Sequence, residues 1–403
     1  MNMRLLFLTS LMACDSMREG LQDKTEKNGI AAAPNCGDRS KQPDVLFLTI
    51  DTLRADHVGY AGYAKANTPN LDALASRGQI FEQAITPVPR TTPALGTLLT
   101  GLSPHNHGAR EVGEKMTSKE TIAAHLQKRG WSTIGVSAIA VAGPDQNLDH
   151  GFDGFDVLHD EAADLLTEHT LSQVEKVDQD CPLFLWIHYA DPHFPYLPPD
   201  RWKDQPAASK CRSLGQKAAK GKLARYRLFG NRNGMAEAVL DECTALYDAE
   251  IAFTDHAIGE LFSGLKKLGR TNPIVAFTAD HGENLGEWGL YFEHGPNAHD
   301  ASLRIPLIMA GPGIPSGKNN RIARTEDIMP TVLSMVASDV PTMNLDGRSL
   351  VDHWSKESEG DWVAAESGSP LHARLGGYLV SGRKHRLHCI DGPQFSLCKT
   401  PKT

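Results

Sequence analysis

Asp44-Val45-Leu46-Phe47-Leu48-Thr49-Ile50-Asp51 is the stretch on which the fold turns. Its apolar run is continuous rather than alternating, which suits a strand buried on both faces, and such strands belong to parallel sheets covered by helices. The same alternation of strand and helix continues outward from it. Thr68-Pro69-Asn70-Leu71-Asp72-Ala73-Leu74-Ala75 reads as a helix with cap and proline in order, closed by Gly78. Residues 119–129 read as a helix, and 133–138 and 183–189 as strands. Residues 246–268 read as a long amphipathic helix with Ile251, Ile258, Leu261, Phe262 and Leu265 on one stripe; strands follow at 274–278 and 303–309. Strands separated by helices predict an α/β class domain with a largely parallel sheet covered on both sides.

In such a sheet, functional side chains gather beyond the carboxyl ends of the strands. Asp51 follows the first strand, Asp280 and His281 follow a later one in Thr278-Ala279-Asp280-His281-Gly282-Glu283, and Asp191 and His193 follow a third in His188-Tyr189-Ala190-Asp191-Pro192-His193. Singly, each reads more naturally as a cap or turn residue; together they form a candidate site. Two carboxylates and an imidazole suit Zn²⁺ or Mn²⁺, and carboxylates alone leave room for Mg²⁺ or Ca²⁺. The other element is Pro89-Arg90-Thr91-Thr92-Pro93-Ala94-Leu95, where Pro93 suits a first helical turn and Thr92 an N-cap. Thr91 then stands at a helix mouth that favours an oxyanion, although these residues by themselves read more naturally as an ordinary capped helix start.

The chain of 403 residues, 40% of them hydrophobic, has enough length for a large core, and its net charge of -8 argues against nucleic acid as a general partner. Met1-Asn2-Met3-Arg4 followed by an apolar run to Ala13 reads as a signal peptide, too short to span a bilayer. Leu11-Met12-Ala13-Cys14 resembles a bacterial lipobox, which makes Cys14 a lipidation site and the protein a periplasmic or cell-surface lipoprotein held to the membrane. An ordinary secretory leader is the alternative. Residues 15–42 read as a polar tether, 43–340 as the catalytic domain and 341–403 as a short C-terminal extension. Within the domain, residues 206–232 are rich in Lys, Arg, Gly and Ala and read as a solvated basic insertion, or as a rim attracting an anionic substrate or lipid headgroups. Residues 377–381 and 386–390 read as a terminal β-hairpin stapled by Cys389 and Cys398 across Asp391-Gly392-Pro393. The other four cysteines, Cys36, Cys181, Cys211 and Cys243, have no assignable pairing, and no C-x-x-C spacing suggests a zinc-thiolate site.

From about Asp44 to about Leu350 the chain resembles the sulfatase branch of the alkaline phosphatase superfamily. The resemblance is carried by Leu48-Thr49-Ile50-Asp51-Thr52-Leu53-Arg54, Thr68-Pro69-Asn70-Leu71-Asp72, Leu98-Leu99-Thr100-Gly101, Pro104-His105-Asn106-His107-Gly108, Asp191-Pro192-His193, Thr278-Ala279-Asp280-His281-Gly282-Glu283 and Arg304-Ile305-Pro306-Leu307-Ile308. It implies a large mixed, mostly parallel sheet between helical layers, with one divalent metal (Zn, Mn, Mg or Ca) held by Asp51, Asp280 and His281 and shared with the nucleophile. Two departures stand out. The family's oxidisable Cys or Ser falls on Thr91, and its following arginine on Leu95. A threonine oxidises to a ketone, so the aldehyde hydrate of a sulfatase is not accessible, and Thr91 instead looks like the nucleophile of the superfamily's phosphodiesterases and phosphoglycerol or phosphoethanolamine transferases. The paired N-terminal aspartates appear as Asp51-Thr52, which weakens a Ca²⁺ site, and the lysine-histidine pair after the strand at 133–138 is missing.

The expected reaction is attack by Thr91 on a phosphate mono- or diester, with release of the phospho-threonine by water or an acceptor alcohol. His193 is the candidate acid for the leaving group, or a turn histidine beside Pro192. His294 is the candidate contact to the substrate oxyanion, and Arg54 either joins it or pairs with Asp56. His105 and His107 read as structural. A literal sulfatase is the second reading, and an inactive surface-anchored binding protein on the same fold the third. The substrate is a phosphate or sulfate ester whose alcohol side, lipid or glycan, the residues do not specify.

Overall fold

In the computed structural model, Val45–Ile50 forms β1 and is buried along its whole length, as its unbroken apolar run requires. The structure describes residues 36, 38–39, 42–202, 210–219, 235–295, 298–336, 344–351, 354, 364–366, 371–375 and 378–382. The remaining strands are β2 (Gly78–Ile85), β3 (Ser132–Ser137), β4 (Gly154–Val157), β5 (Leu183–Tyr189), β6 (Ile274–Ala279), β7 (Asn284–Leu285), β8 (Tyr291–Glu293), β9 (Arg304–Ile305), β10 (Leu307–Ala310), β11 (Gly317–Arg324), β12 (Ala364–Glu366), β13 (Leu371–Leu375) and β14 (Tyr378–Gly382). The helices are α1 (Pro69–Ser76), α2 (Thr91–Thr100), α3 (Pro104–His107), α4 (Ile122–Gln127), α5 (Ala163–Val174), α6 (Lys210–Ala219), α7 (Glu237–Lys267), α8 (Asp300–Leu303) and α9 (Thr325–Val336).

The main sheet has nine strands in the order β11-β2-β10-β6-β1-β5-β3-β4, with β9 beside β2. From β6 through β4 all pairings are parallel, whereas β10 runs antiparallel to both β6 and β2. The sheet is therefore mixed and mostly parallel. Helices α1, α5 and α6 pack on α7, while α3, α4 and α9 pack on α2, and the sheet's central strands are dry on both faces. Even the polar opening of β1 is satisfied: Asp44 accepts hydrogen bonds from Arg270, Arg39 and the Leu183 amide. Among the described residues no helix is long and apolar enough to cross a membrane.

Several expectations need correction. Gly78 does not close α1; Arg77 is its C-cap, and Gly78 starts β2, where a Cβ would lie 2.6 Å from the Met309 carbonyl of β10. The run 303–309 is broken at Pro306 into β9 and β10, because proline cannot donate to the ladder. Thr92 is not an N-cap: α2 begins at Thr91, with Arg90 in the cap position. The basic insertion is not wholly solvated, since α6 packs on α7 and buried Cys211 is bonded to Cys243. A second disulfide joins Cys36 to Cys181. At the C-terminus, β14 pairs with β13, which pairs with β12. The leader with Cys14, residues 15–35 of the tether, the strand expected at 386–390 and the Cys389–Cys398 staple lie outside the described residues.

Candidate active site

The register of three neighbouring strands assembles the site. Thr49 of β1 is paired with His188 of β5 on one side and Thr278 of β6 on the other, so these three side chains share one face. Asp51 and Asp280, two residues beyond Thr49 and Thr278, continue that face past the strand ends. One oxygen from each of these carboxylates and one ring nitrogen of His188 lie within 4.8 Å of one another, all three residues buried. Asp280 is held by its Oδ1, which accepts the backbone N–H of Thr52 at 3.2 Å and of His281 at 2.7 Å. His281 reaches across both acids, its Nε2 lying 3.2 Å from Asp280 Oδ2 and 3.7 Å from Asp51 Oδ1. Its Nδ1 sits 3.0 Å from the Gly282 carbonyl, which can only accept, so the hydrogen is on Nδ1 and the Nε2 lone pair faces the carboxylates. Gly282 itself must be glycine: a Cβ there would stand 2.1 Å from the Ala301 carbonyl oxygen.

Thr91 completes the cluster, with Oγ1 3.4 Å from His281 Nε2 at the N-terminus of a helix buried along its whole length. Beside it, Thr92 is occupied structurally, donating to the Val141 carbonyl and accepting from the Gly113 amide. His107 is a packing histidine that donates through Nε2 to the Pro93 carbonyl at 3.1 Å, and burial lowers its pKa to about 4. His105 is exposed on α3. The Thr91, His281, Asp51 and Asp280 side chains are almost wholly shielded from solvent, and the half-buried His294 and His193 stand over them. The His294 ring lies 4.2 Å from His281 and 5.3 Å from His193 between centroids. His294 Nδ1 lies 3.1 Å from Oε1 of the fully buried Glu283.

Arg54 is engaged elsewhere. It makes two hydrogen bonds to Asp56 and contacts Glu287 and the Glu283 carbonyl. Burial opposes its charge, but these carboxylates outweigh burial and raise its pKa. Of the two roles expected for Arg54, the geometry supplies the pairing and not the oxyanion contact. A cavity of about 320 Å³ opens on the Arg54 side, lined by His299, Asp300 and Arg304 among others; none of Thr91, His193 or His294 borders it.

Two buried polar groups escaped the sequence reading. His188 breaks an otherwise apolar or aromatic buried strand, and Glu283 is a charge buried just after β6; a polar group in such a place usually has a partner or a task. Burial holds the His188 imidazole down at about 4, against the opposing pull of Asp280. The donors present fit a divalent cation. Two carboxylates, an imidazole lone pair and a hydroxyl converge in a dry volume, and Asp280 Oδ2 has no hydrogen-bond partner there. Thr52, where the resemblance places a second aspartate, has φ 59°, a left-handed conformation that a β-branched residue strains to adopt and aspartate tolerates better. Thr52→Asp is expected to be tolerated and to raise Ca²⁺ affinity about tenfold by adding an anionic oxygen donor. Calorimetric titration checks this, and an unchanged affinity contradicts it.

The loop bearing His193 rests on a second acidic cluster. Asp191 Oδ2 accepts the Ala163 amide and Glu250 Oε1 accepts the Leu197 amide; Glu250 is buried and Asp191 half-buried. Burial raises the Asp191 pKa to about 7, and burial followed by repulsion from Asp191 raises that of Glu250 well above the usual range. A raised carboxyl pKa means that the folded state holds a proton which the unfolded chain releases near pH 4. Stability from Asp191 is thus full below that value and is lost as pH rises through about 7. Between those limits the unfolding free energy is expected to fall with pH, and Asp191→Asn to flatten the fall; a profile identical in wild type and variant contradicts this.

The model of the sulfatase family matches residues 43–338. An arylsulfatase of Clostridium perfringens is 24% identical over 386 residues, covering 77% of this chain and 78% of that protein. Among solved structures, BT4656 in complex with D-glucosamine-2-N,6-O-disulfate superposes with a TM-score of 0.66 at 18% identity, covering 84% of this chain and 87% of that one. The phosphonate monoester hydrolase of Agrobacterium radiobacter superposes with a TM-score of 0.64 at 21% identity, covering 81% and 80%.

Proposed function

We propose that this chain, which belongs to the sulfatase family and is an ester hydrolase, cleaves a phosphate mono- or diester through a covalent intermediate on Thr91. The observation that carries the reading is the Thr91 hydroxyl 3.4 Å from His281 Nε2, on the lone-pair side of a histidine that faces two carboxylates. Asp51, Asp280 and His281 would hold a divalent cation there with Thr91. When bound, it supplies positive charge that lowers the pKa of a neighbouring hydroxyl and offsets charge on the phosphoryl oxygens.

The chain's own residues divide the remaining work. The Thr91 hydroxyl releases its proton to solvent and Oγ1 forms a bond to phosphorus as the bond to the ester oxygen breaks, with the N-terminus of α2 facing the negative phosphoryl group. His193 gives a proton to the departing alkoxide, and His294, braced by Glu283, contacts a phosphoryl oxygen. Water or an alcohol then attacks phosphorus, giving its proton to the now neutral His193, as the bond to Thr91 Oγ1 breaks and that oxygen takes up a proton from solvent. A primary alcohol or thiol is needed for the aldehyde chemistry of a sulfatase, and position 91 offers neither.

Turnover of aryl phosphate, bis-aryl phosphate and aryl sulfate by the purified protein across several metals tests this. The reading predicts phosphate ester cleavage well above sulfate ester cleavage. Aryl sulfate as the best substrate supports the sulfatase reading instead, and inertness toward all three without bound metal supports a binding protein. The same reading has the protein exported and anchored through Cys14, supported by the leader pattern and by two disulfides, which persist in oxidising compartments. Intact mass after processing decides it, since an unmodified Cys14 contradicts the anchor.

A further inference from the structure

We propose that His188 is a metal ligand through Nε2, standing in for the carboxylate absent at position 52 and adding a second imidazole nitrogen beside that of His281. This rests on the metal site assigned above and names a donor that the sequence did not. His188 lies in β5, on the opposite side of β1 from β6, which leads to Asp280 and His281. A second imidazole thus approaches the two carboxylates from the β5 side.

The tautomer is set by a chain of hydrogen bonds beneath the ring. Trp186 Nε1, which can only donate, gives its hydrogen to Thr49 Oγ1 at 3.0 Å. The Thr49 hydroxyl gives its own hydrogen to the Ile187 carbonyl at 3.2 Å. Its remaining lone pair then accepts from His188 Nδ1–H at 2.9 Å. Nε2 is left with its lone pair, fully buried and without a hydrogen-bond partner, on a residue whose ring reaches within 4.8 Å of both carboxylates. The opposite tautomer would bury an N–H with no acceptor at bonding distance. A buried imidazole lone pair beside two carboxylates is a donor set that suits a shared cation, and the Trp186–Thr49 pair holds the ring in place. Two imidazoles with two carboxylates favour Zn²⁺, Mn²⁺ or Co²⁺ over Ca²⁺, which takes oxygen ligands in larger number.

Full-length metal-free protein titrated with Co²⁺ and with Ca²⁺, in the wild type, His188→Ala, His188→Gln and Asp51→Asn, tests the assignment by equilibrium dialysis and by the visible spectrum of bound Co²⁺. Both His188 variants are expected to lose about 100-fold or more in Co²⁺ affinity, since even residues behind a ligand account for about 10–100-fold. Their Ca²⁺ affinity is expected to change far less, and the Co²⁺ spectrum to change shape. Wild-type affinity and spectrum in both His188 variants, with binding lost in Asp51→Asn, overturn the inference and leave the site standing. Undiminished binding in Asp51→Asn overturns the site itself. Should the variants misfold, pulsed electron paramagnetic resonance of the Mn²⁺-loaded wild type decides without them. Couplings from two imidazole nitrogens support His188 together with His281, and a single coupling contradicts it.

Discussion

Thr91→Ala is expected to lower phosphate ester turnover by about 10⁴-fold or more, the scale seen when a covalent nucleophile is removed. The residue is 4% exposed, and among the described residues its hydroxyl has one hydrogen-bonding contact, at 3.4 Å, to His281. Folding therefore depends little on that oxygen, and the variant is expected to melt close to the wild type. Thr91→Ser keeps a hydroxyl at the same place and is expected to retain most of the activity lost in the alanine variant. Metal binding separates the roles further, since the alanine variant still carries Asp51, Asp280 and His281. Turnover that survives Thr91→Ala, whether of phosphate or sulfate esters, removes Thr91 from the chemistry.

The second large effect belongs to Asp51→Asn, which is expected to abolish tight metal binding and to reduce turnover by at least about 10³-fold, on the scale of losing a principal charge-stabilising group. Its stability signature is distinctive. Asp51 and Asp280 project from the ends of adjacent strands into a dry volume, where two negative charges repel strongly. The metal-free Asn variant is therefore expected to melt at or above the metal-free wild type, while only the wild type rises when metal is added. At a hundred times its dissociation constant an ion stabilises the folded state by about 2.7 kcal/mol. A variant that melts lower without metal and still gains stability with it contradicts the assignment.

What the residues revealed in advance follows from how each element is buried. β1, β3, β5 and β6 lie in the parallel block, dry on both faces, so their apolar runs announce them. β2 and β11 went unread because they sit toward the sheet's outer end, where Gln79, Glu82, Gln83, Lys318, Asn319, Asn320 and Arg321 dilute the apolar signal. The split of β9 from β10 is signalled by Pro306, which has no N–H to give to a ladder. Asp51, Asp280, His281 and Thr91 come together because each follows a central strand or opens a helix beyond the carboxyl ends of those strands. His188 escaped notice for a different reason: it lies inside its strand, and only the pairing of Thr49 with both His188 and Thr278 shows that it shares a face with the two acids. The sequence leaves Arg54 two roles, and only its contacts to Asp56 and Glu287 decide between them.

The most direct test is to catch the enzyme in mid-reaction. Protein quenched in acid during steady turnover of an aryl phosphate, then digested and examined by mass spectrometry, is predicted to carry one phosphoryl group on the peptide containing Thr91 and to lose it in Thr91→Ala. A burst of product with that peptide unmodified, or the label on another residue, contradicts the covalent threonine route.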